Sequence, residues 1–133
     1  AATIADFDAA AQRLNAFITR SGVTPSNLTL SELLERSAQG EVIVGLQGAS
    51  GVIYAYDGKD GRWYVTFLDG PRGDWLLLMK DVATQMIAAG KGDIPVAFTD
   101  LGLPQRLAKT TFGLAVVGGF MQVTANQAIG FLP

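Results

Sequence analysis

Asp57, Asp60 and Asp69 stand among glycines, and carboxylates gathered in that way can hold a hard cation such as calcium. Their spacing is not that of an EF-hand, and no Glu closes the set. The expected role of Asp57-Gly58-Lys59-Asp60-Gly61 is therefore a hairpin turn. Tyr54, Tyr56, Trp63 and Tyr64 offer aromatic faces on which sugars or bases can stack. Alternate residues of a strand belong to opposite faces, so no more than about half of the four can share one surface. Core or interface packing is their expected use. Ser50, in Gly48-Ala49-Ser50-Gly51, lacks the Gly-x-Ser-x-Gly frame of a nucleophile elbow. The chain has neither His nor Cys. That removes Ser-His and Cys-His triads, thiolate chemistry, disulfides and the commonest metal ligands.

The elements that must position these residues follow from periodicity. Ile4, Phe7, Ala11, Leu14 and Ile18 recur at three- and four-residue steps with Phe17 beside them, the apolar face of a helix. Thr3 or Asp6 is its expected cap, and Gly22 and Pro25 stop it. A second helix begins at Thr29, where Thr29 and Glu32 form a capping box and Leu28 and Leu33 a hydrophobic staple. Leu30, Leu33, Leu34 and Ala38 give it a buried face, and Gly40 ends it.

Strands are expected over 41–46, 52–56 and 62–68, joined by two glycine-rich loops of the length used in antiparallel hairpins. Trp63, Val65 and Phe67 alternate with Tyr64, Thr66 and Leu68, so both faces carry large side chains and the strand is expected to be central. A longer helix is expected from Asp74 to Gly90, burying Leu78, Met79, Val82, Met86 and Ala89. A strand over 94–99 follows, and Pro95 predicts that one of its sides is unpaired. Pro104 opens a short helix reaching Phe112. Two short strands, 114–117 and 120–123, then flank Gly118-Gly119. The order α-α-β-β-β-α-β-α-β-β is mixed α/β in two or three layers.

With 133 residues, 49% of them hydrophobic and 17% charged, the chain reads as a single domain spanning 1–133. The charged fraction is low, which predicts self-association or a protein partner covering part of the surface. The net charge is −2 and no two Lys or Arg are adjacent, which argues against a nucleic-acid partner. No apolar run approaches the ~18 residues of a membrane span. Asp6 and Asp8 near the start do not suit a signal peptide. The segment 125–133 carries Ile129, Phe131 and Leu132 without a charge, and is expected to pack on this domain or on a neighbour.

From residue 40 to 124 this layout resembles the GNAT superfamily of N-acetyltransferases. The features carrying the resemblance are a meander ending in 62–68, the loop Asp69-Gly70-Pro71-Arg72-Gly73-Asp74 opening a long helix, the strand after it, and a helix running into Phe112-Gly113-Leu114. The N-terminal strand typical of the family is not evident. The fold implied is a central, mostly antiparallel sheet with a crossover helix and N-terminal helices.

The resemblance also implies a site. In the family, a Gln/Arg-x-x-Gly-x-Gly/Ala loop holds the coenzyme A pyrophosphate on the N–H groups of a helix start. Arg72, Gly73 and Asp74 fall on that loop, followed by the bulky Trp75. Asp74 is expected to cap the helix itself and to place a carboxylate where phosphate would sit. Lys109 stands where many members have a Tyr acid. The strand 62–68 has no carboxylate to serve as base, and Asp69 lies just past its end. No catalytic residue, cofactor or metal is assigned. A degenerate fold of this size resembles the small internal virion protein of short-tailed phages. That resemblance implies a non-enzymatic structural role in a virion or the host cytoplasm. A divergent CoA-dependent N-acyltransferase and a small binding module reusing the fold are the alternatives.

Overall fold

The computed structural model describes residues 4–21, 29–98, 109–110 and 121–132. Helix α1 (Ile4–Ser21) and helix α2 (Leu30–Ala38) precede three strands: β1 (Val42–Gln47), β2 (Gly51–Asp57) and β3 (Trp63–Asp69). Helix α3 (Arg72–Ala88) then leads to β4 (Pro95–Phe98). After β5 (Met121–Thr124) come the single-turn helix α4 (Ala125–Ala128) and a 3-10 turn, Ile129–Phe131.

The strands form one mixed sheet in chain order, with β3 in the middle. β1–β2, β2–β3 and β4–β5 are antiparallel, and β3–β4 is parallel. A parallel neighbour needs a crossover, and α3 supplies it. The central placing of β3 agrees with the expectation from its two large-residue faces. Its alternation does not survive intact. Tyr54 pairs with Phe67 but Ala55 pairs with Val65, so Thr66 is an extra residue in a bulge. Beyond the bulge the faces exchange, and Leu68 joins Trp63 and Val65 in one core cluster.

Two apolar clusters sandwich the sheet. Phe7, Ala10, Ala11, Leu14 and Ile18 of α1 and Leu33 of α2 pack on Val42, Val44, Val52 and Tyr54. On the opposite face, Trp75, Leu78, Met79, Val82, Ala83 and Met86 of α3 pack on Ile53, Ala55, Trp63, Val65, Val96 and Phe98. Full burial of each large aliphatic side chain stabilises by about 1.5–3 kcal/mol, so the two clusters supply most of the driving force. Ala89 lies past the helix end and is exposed, whereas Ala83 is buried.

Thr29 caps α2 by accepting from the Glu32 amide at 3.2 Å, which is the first half of the expected box. Gly40, at φ +70°, takes the left-handed position of a Schellman ending in which Glu41 N–H donates to Arg36 O at 2.9 Å. Thr3, Gly22, Pro25 and Leu28 lie outside the described residues, and Asp6 sits within the first turn of α1. Helix α3 begins at Arg72, so Asp74 is a first-turn residue and Pro71 holds the cap position.

β4 is paired on both sides, contrary to the reading of Pro95 as marking a free edge. Pro95 opens the strand, where its missing N–H interrupts no ladder, and pairing with β3 starts one residue later at Val96. The helix expected before Phe112 is described only at 109–110, which is helical, and the strand expected over 114–117 lies outside the described residues. Thr124 and Gln127 form a capping box that turns the end of the chain onto α3. Among the described residues no helix is long and apolar enough to cross a membrane.

Candidate functional site

Arg72, Gly73 and Asp74 lie together at the first turn of α3, directly after the Gly70-Pro71 turn. Gly70 has φ +110°, and a Cβ there would stand 2.6 Å from Gly51 Cα. Glycine is thus required by both the backbone conformation and the close approach to the β1–β2 turn. Trp75 is buried in the α3-side core and donates its indole N–H to Gly70 O at 2.9 Å. The Arg72 guanidinium lies over the Trp75 ring, 5.8 Å from its centroid. The Asp74 carboxylate points toward Gly48, where an added Cβ would lie 3.2 Å from Asp74 Oδ2. A Cβ on Gly73 would meet nothing within 4 Å.

No side chain caps this helix start, and Arg72 and Gly73 are exposed there. An anion approaching the helix start meets the Asp74 carboxylate, and the Arg72 cation is drawn onto an indole face. The expectation that Asp74 is the N-cap is corrected, because the helix begins two residues earlier. Asp74 is the acidic residue of that first turn and makes no side-chain cap bond.

Asp69, at the end of β3, is bound by Arg20 of α1, with Nη2 and Oδ2 2.6 Å apart. Arg13 of the same helix donates to Gly51 O at 2.6 Å and Gly48 O at 2.9 Å, with a longer bond to Gln47 O at 3.4 Å. Two arginines of α1 thus tie it to the β1–β2 turn and to the end of β3. Lys109 is exposed.

The other aspartates act as turn residues. Asp57 Oδ1 accepts from Lys59 N–H at 2.8 Å, and Asp60 Oδ1 accepts from Arg62 N–H at 3.1 Å. Asp60 Oδ2 also accepts a short hydrogen bond from the Tyr64 hydroxyl. That bond holds the Asp60 carboxyl below its ordinary range and pushes the Tyr64 phenol up. Among the described residues no group of three His, Cys, Asp or Glu side chains could hold a metal ion.

Comparison with protein-family models, curated proteins and solved structures returned no match.

The arrangement that residue types alone do not disclose is a row of tyrosines. Tyr54, Tyr56 and Tyr64 share one face, with ring centroids 6.0 Å apart for Tyr54–Tyr56 and 5.5 Å for Tyr56–Tyr64. Trp63 lies on the opposite face, in the α3-side core, with the Lys91 ammonium 4.9 Å from its ring centroid. Three of the four aromatics share a surface because hairpin pairing sets Tyr64 directly across from Tyr56. Burial pushes the Tyr54 phenol up, while the hydrogen bond from Arg36 opposes that shift.

Proposed function

We propose that this chain is a non-enzymatic assembly protein on a degenerate GNAT-like fold, of the kind built into the particles of short-tailed phages. The observation that carries this reading is the side-chain chemistry at the start of α3. Trp75 is bonded to Gly70, Arg72 lies on Trp75, and Asp74 adds a carboxylate to the first turn, a set of side chains that suits a pyrophosphate poorly. The antiparallel meander, the α3 crossover and the parallel β3–β4 pair support the likeness of layout. Asp69, the one carboxylate near a base position, is engaged with Arg20.

A contact role draws support from the surface. Leu77 is 40% exposed, Ile87 37% and Phe131 61%, in a chain with few charges. A contact that covered these side chains would remove apolar surface from water.

Calorimetric titration with acetyl-CoA is the first test, and no binding is expected. One-to-one binding in the micromolar range would overturn the assembly reading in favour of a divergent acyltransferase using Arg72 and Gly73. Light scattering at rising concentration should show association that weakens in a Leu77→Ser, Phe131→Ser double variant. Mass spectrometry of purified particles from the source phage should recover the chain in fixed ratio to the capsid protein. Its absence from particles would remove the virion assignment.

A further inference from the structure

The tyrosine row borders a cleft that the assembly role leaves unused. Tyr56 is held by a ring on each of two sides. It stacks on Tyr64 with 23° between the planes and leans on Tyr54 at 34°. β2 lies between β1 and β3, so Tyr64 occupies the β3 side of the Tyr56 ring. On the β1 side, next to Val42, a cleft of about 260 Å3 opens, rimmed by Arg36, Glu41, Asp57 and Lys59. Its aromatic wall is therefore fixed in place before anything binds, and binding does not have to order it.

The rim charges are unequally engaged. Lys59 Nζ lies 2.8 Å from Glu41 Oε1, and Asp57 accepts the Lys59 amide. Both carboxylates of the rim thus have donors. Arg36 differs. Its Nη1 donates to the neutral Tyr54 hydroxyl at 3.3 Å, and among the described residues no carboxylate lies within ion-pair distance of it. A guanidinium has five N–H donors in a fixed fork, and this one contact leaves most of them for a planar anion. The rim carries two cations and two carboxylates, so its formal charge is zero, and Arg36 is the cation with donors to spare.

Lys59 adds an independent observation. Its φ is +59°, the single non-glycine residue with positive φ among those described. Glycine would take that conformation without strain, yet a lysine stands there and reaches across to Glu41 at the cleft mouth. The size of the cleft limits its occupant. It is smaller than the ~300–1,000 Å3 of sites for drug-sized ligands, and it suits one ring with one charged group.

We propose that this cleft binds a single aromatic ring bearing a carboxylate, the ring against Tyr56 and the carboxylate on Arg36. A free aromatic acid and the C-terminal aromatic residue of a peptide share this chemistry.

The test is an NMR titration of the full chain, following backbone amides, with phenylacetate, N-acetyl-L-phenylalanine and the neutral N-acetyl-L-phenylalaninamide. Both carboxylates are expected to give saturable shifts centred on Val42, Tyr56 and Lys59. The amide should bind about two- to fivefold more weakly, the ratio that one partly exposed ion pair supplies. Tighter binding of the acetylated amino acid assigns a peptide terminus, and tighter binding of phenylacetate a free acid. Arg36→Gln and Tyr56→Leu should each weaken binding by a similar factor, while thermal unfolding shows that both variants remain folded. The proposal is overturned by the absence of saturable shifts at millimolar ligand. Equal affinity for the amide, or unchanged binding by Arg36→Gln, overturns it as well.

Discussion

The Trp75 indole N–H donates to the Gly70 carbonyl across the turn that joins β3 to α3, at 2.9 Å. The bond fixes the direction in which α3 leaves the sheet, and the ring beneath it fills the end of the α3-side core. Trp75→Phe keeps an aromatic ring and loses the bond, so it should cost about 1 kcal/mol. Trp75→Ala also leaves a cavity and should cost about 3–5 kcal/mol. Urea denaturation measures both. An alanine variant as stable as the parent would show that the indole does not anchor the junction.

Two glycines three residues apart should respond in opposite ways. At Gly70 a Cβ would meet the backbone of Gly51, and φ is +110°. Gly70→Ala is expected to destabilise by at least about 1–3 kcal/mol, since neither the conformation nor the neighbour can relax cheaply. Gly73 has open space and lies inside a helix. Gly73→Ala should be neutral or stabilise by up to about 1 kcal/mol. Thermal melts of the pair decide, and a loss at Gly73 matching that at Gly70 would show a demand for glycine that the surroundings do not explain.

Arg13 should act as a clasp for the β1–β2 turn. Its guanidinium serves the carbonyls of Gly48 and Gly51 from α1. Arg13→Ala is expected to lower stability by about 1–2 kcal/mol, the range for charge-assisted bonds at a partly solvated site. Hydrogen exchange at the amides of 48–51 should accelerate more than exchange within β2. Uniform acceleration across the sheet would mean that the arginine supports the whole fold rather than this turn.

The Asp60–Tyr64 bond predicts a pH window. The Asp60 carboxyl is depressed in the folded chain, so its contribution is present above the ordinary aspartate range and is lost as pH falls through the folded value. The Tyr64 phenol is raised, so its contribution is present below the ordinary tyrosine range and is lost as pH rises through the folded value. The stability gap between the parent and Tyr64→Phe should be flat near neutrality. It should narrow below about pH 4 and above about pH 10. A gap that does not change with pH would show that the bond is absent in solution.

The end of the chain should divide into packing and contact residues. Ile129 and Leu132 pack on the α3-side core, whereas Phe131 is 61% exposed. Leu132→Ala should lower the melting temperature. Phe131→Ser should alter stability by no more than about 0.5 kcal/mol and should weaken association. Reversed outcomes would place Phe131 in the fold and Leu132 at the contact.

Much of the secondary structure was legible because it is written in local period and local chemistry. The three- and four-residue steps from Phe7 to Ile18 required a helix with one apolar face. Thr29 and Gly40 marked the two ends of α2, and glycine-rich connections marked both hairpins. Absence of His and Cys decided by itself which catalytic machinery the chain cannot build. Other features needed the tertiary structure, because they depend on which residues meet across long separations. The extra residue at Thr66 is defined only by pairing against Tyr54 and Ala55, and it moves Leu68 to the opposite face from the one simple alternation assigns. Pro95 looked like an edge marker, since sequence shows the missing N–H but not which end of a ladder it falls on. Arg13 and Arg20 look like ordinary polar residues of an amphipathic helix. Their bonds to Gly51 and Asp69 exist only once α1 lies on the sheet. The same holds for Tyr56: its stacking on Tyr64 follows from hairpin register, and its neighbour Arg36 arrives from a helix that is distant from β2 until the two pack together.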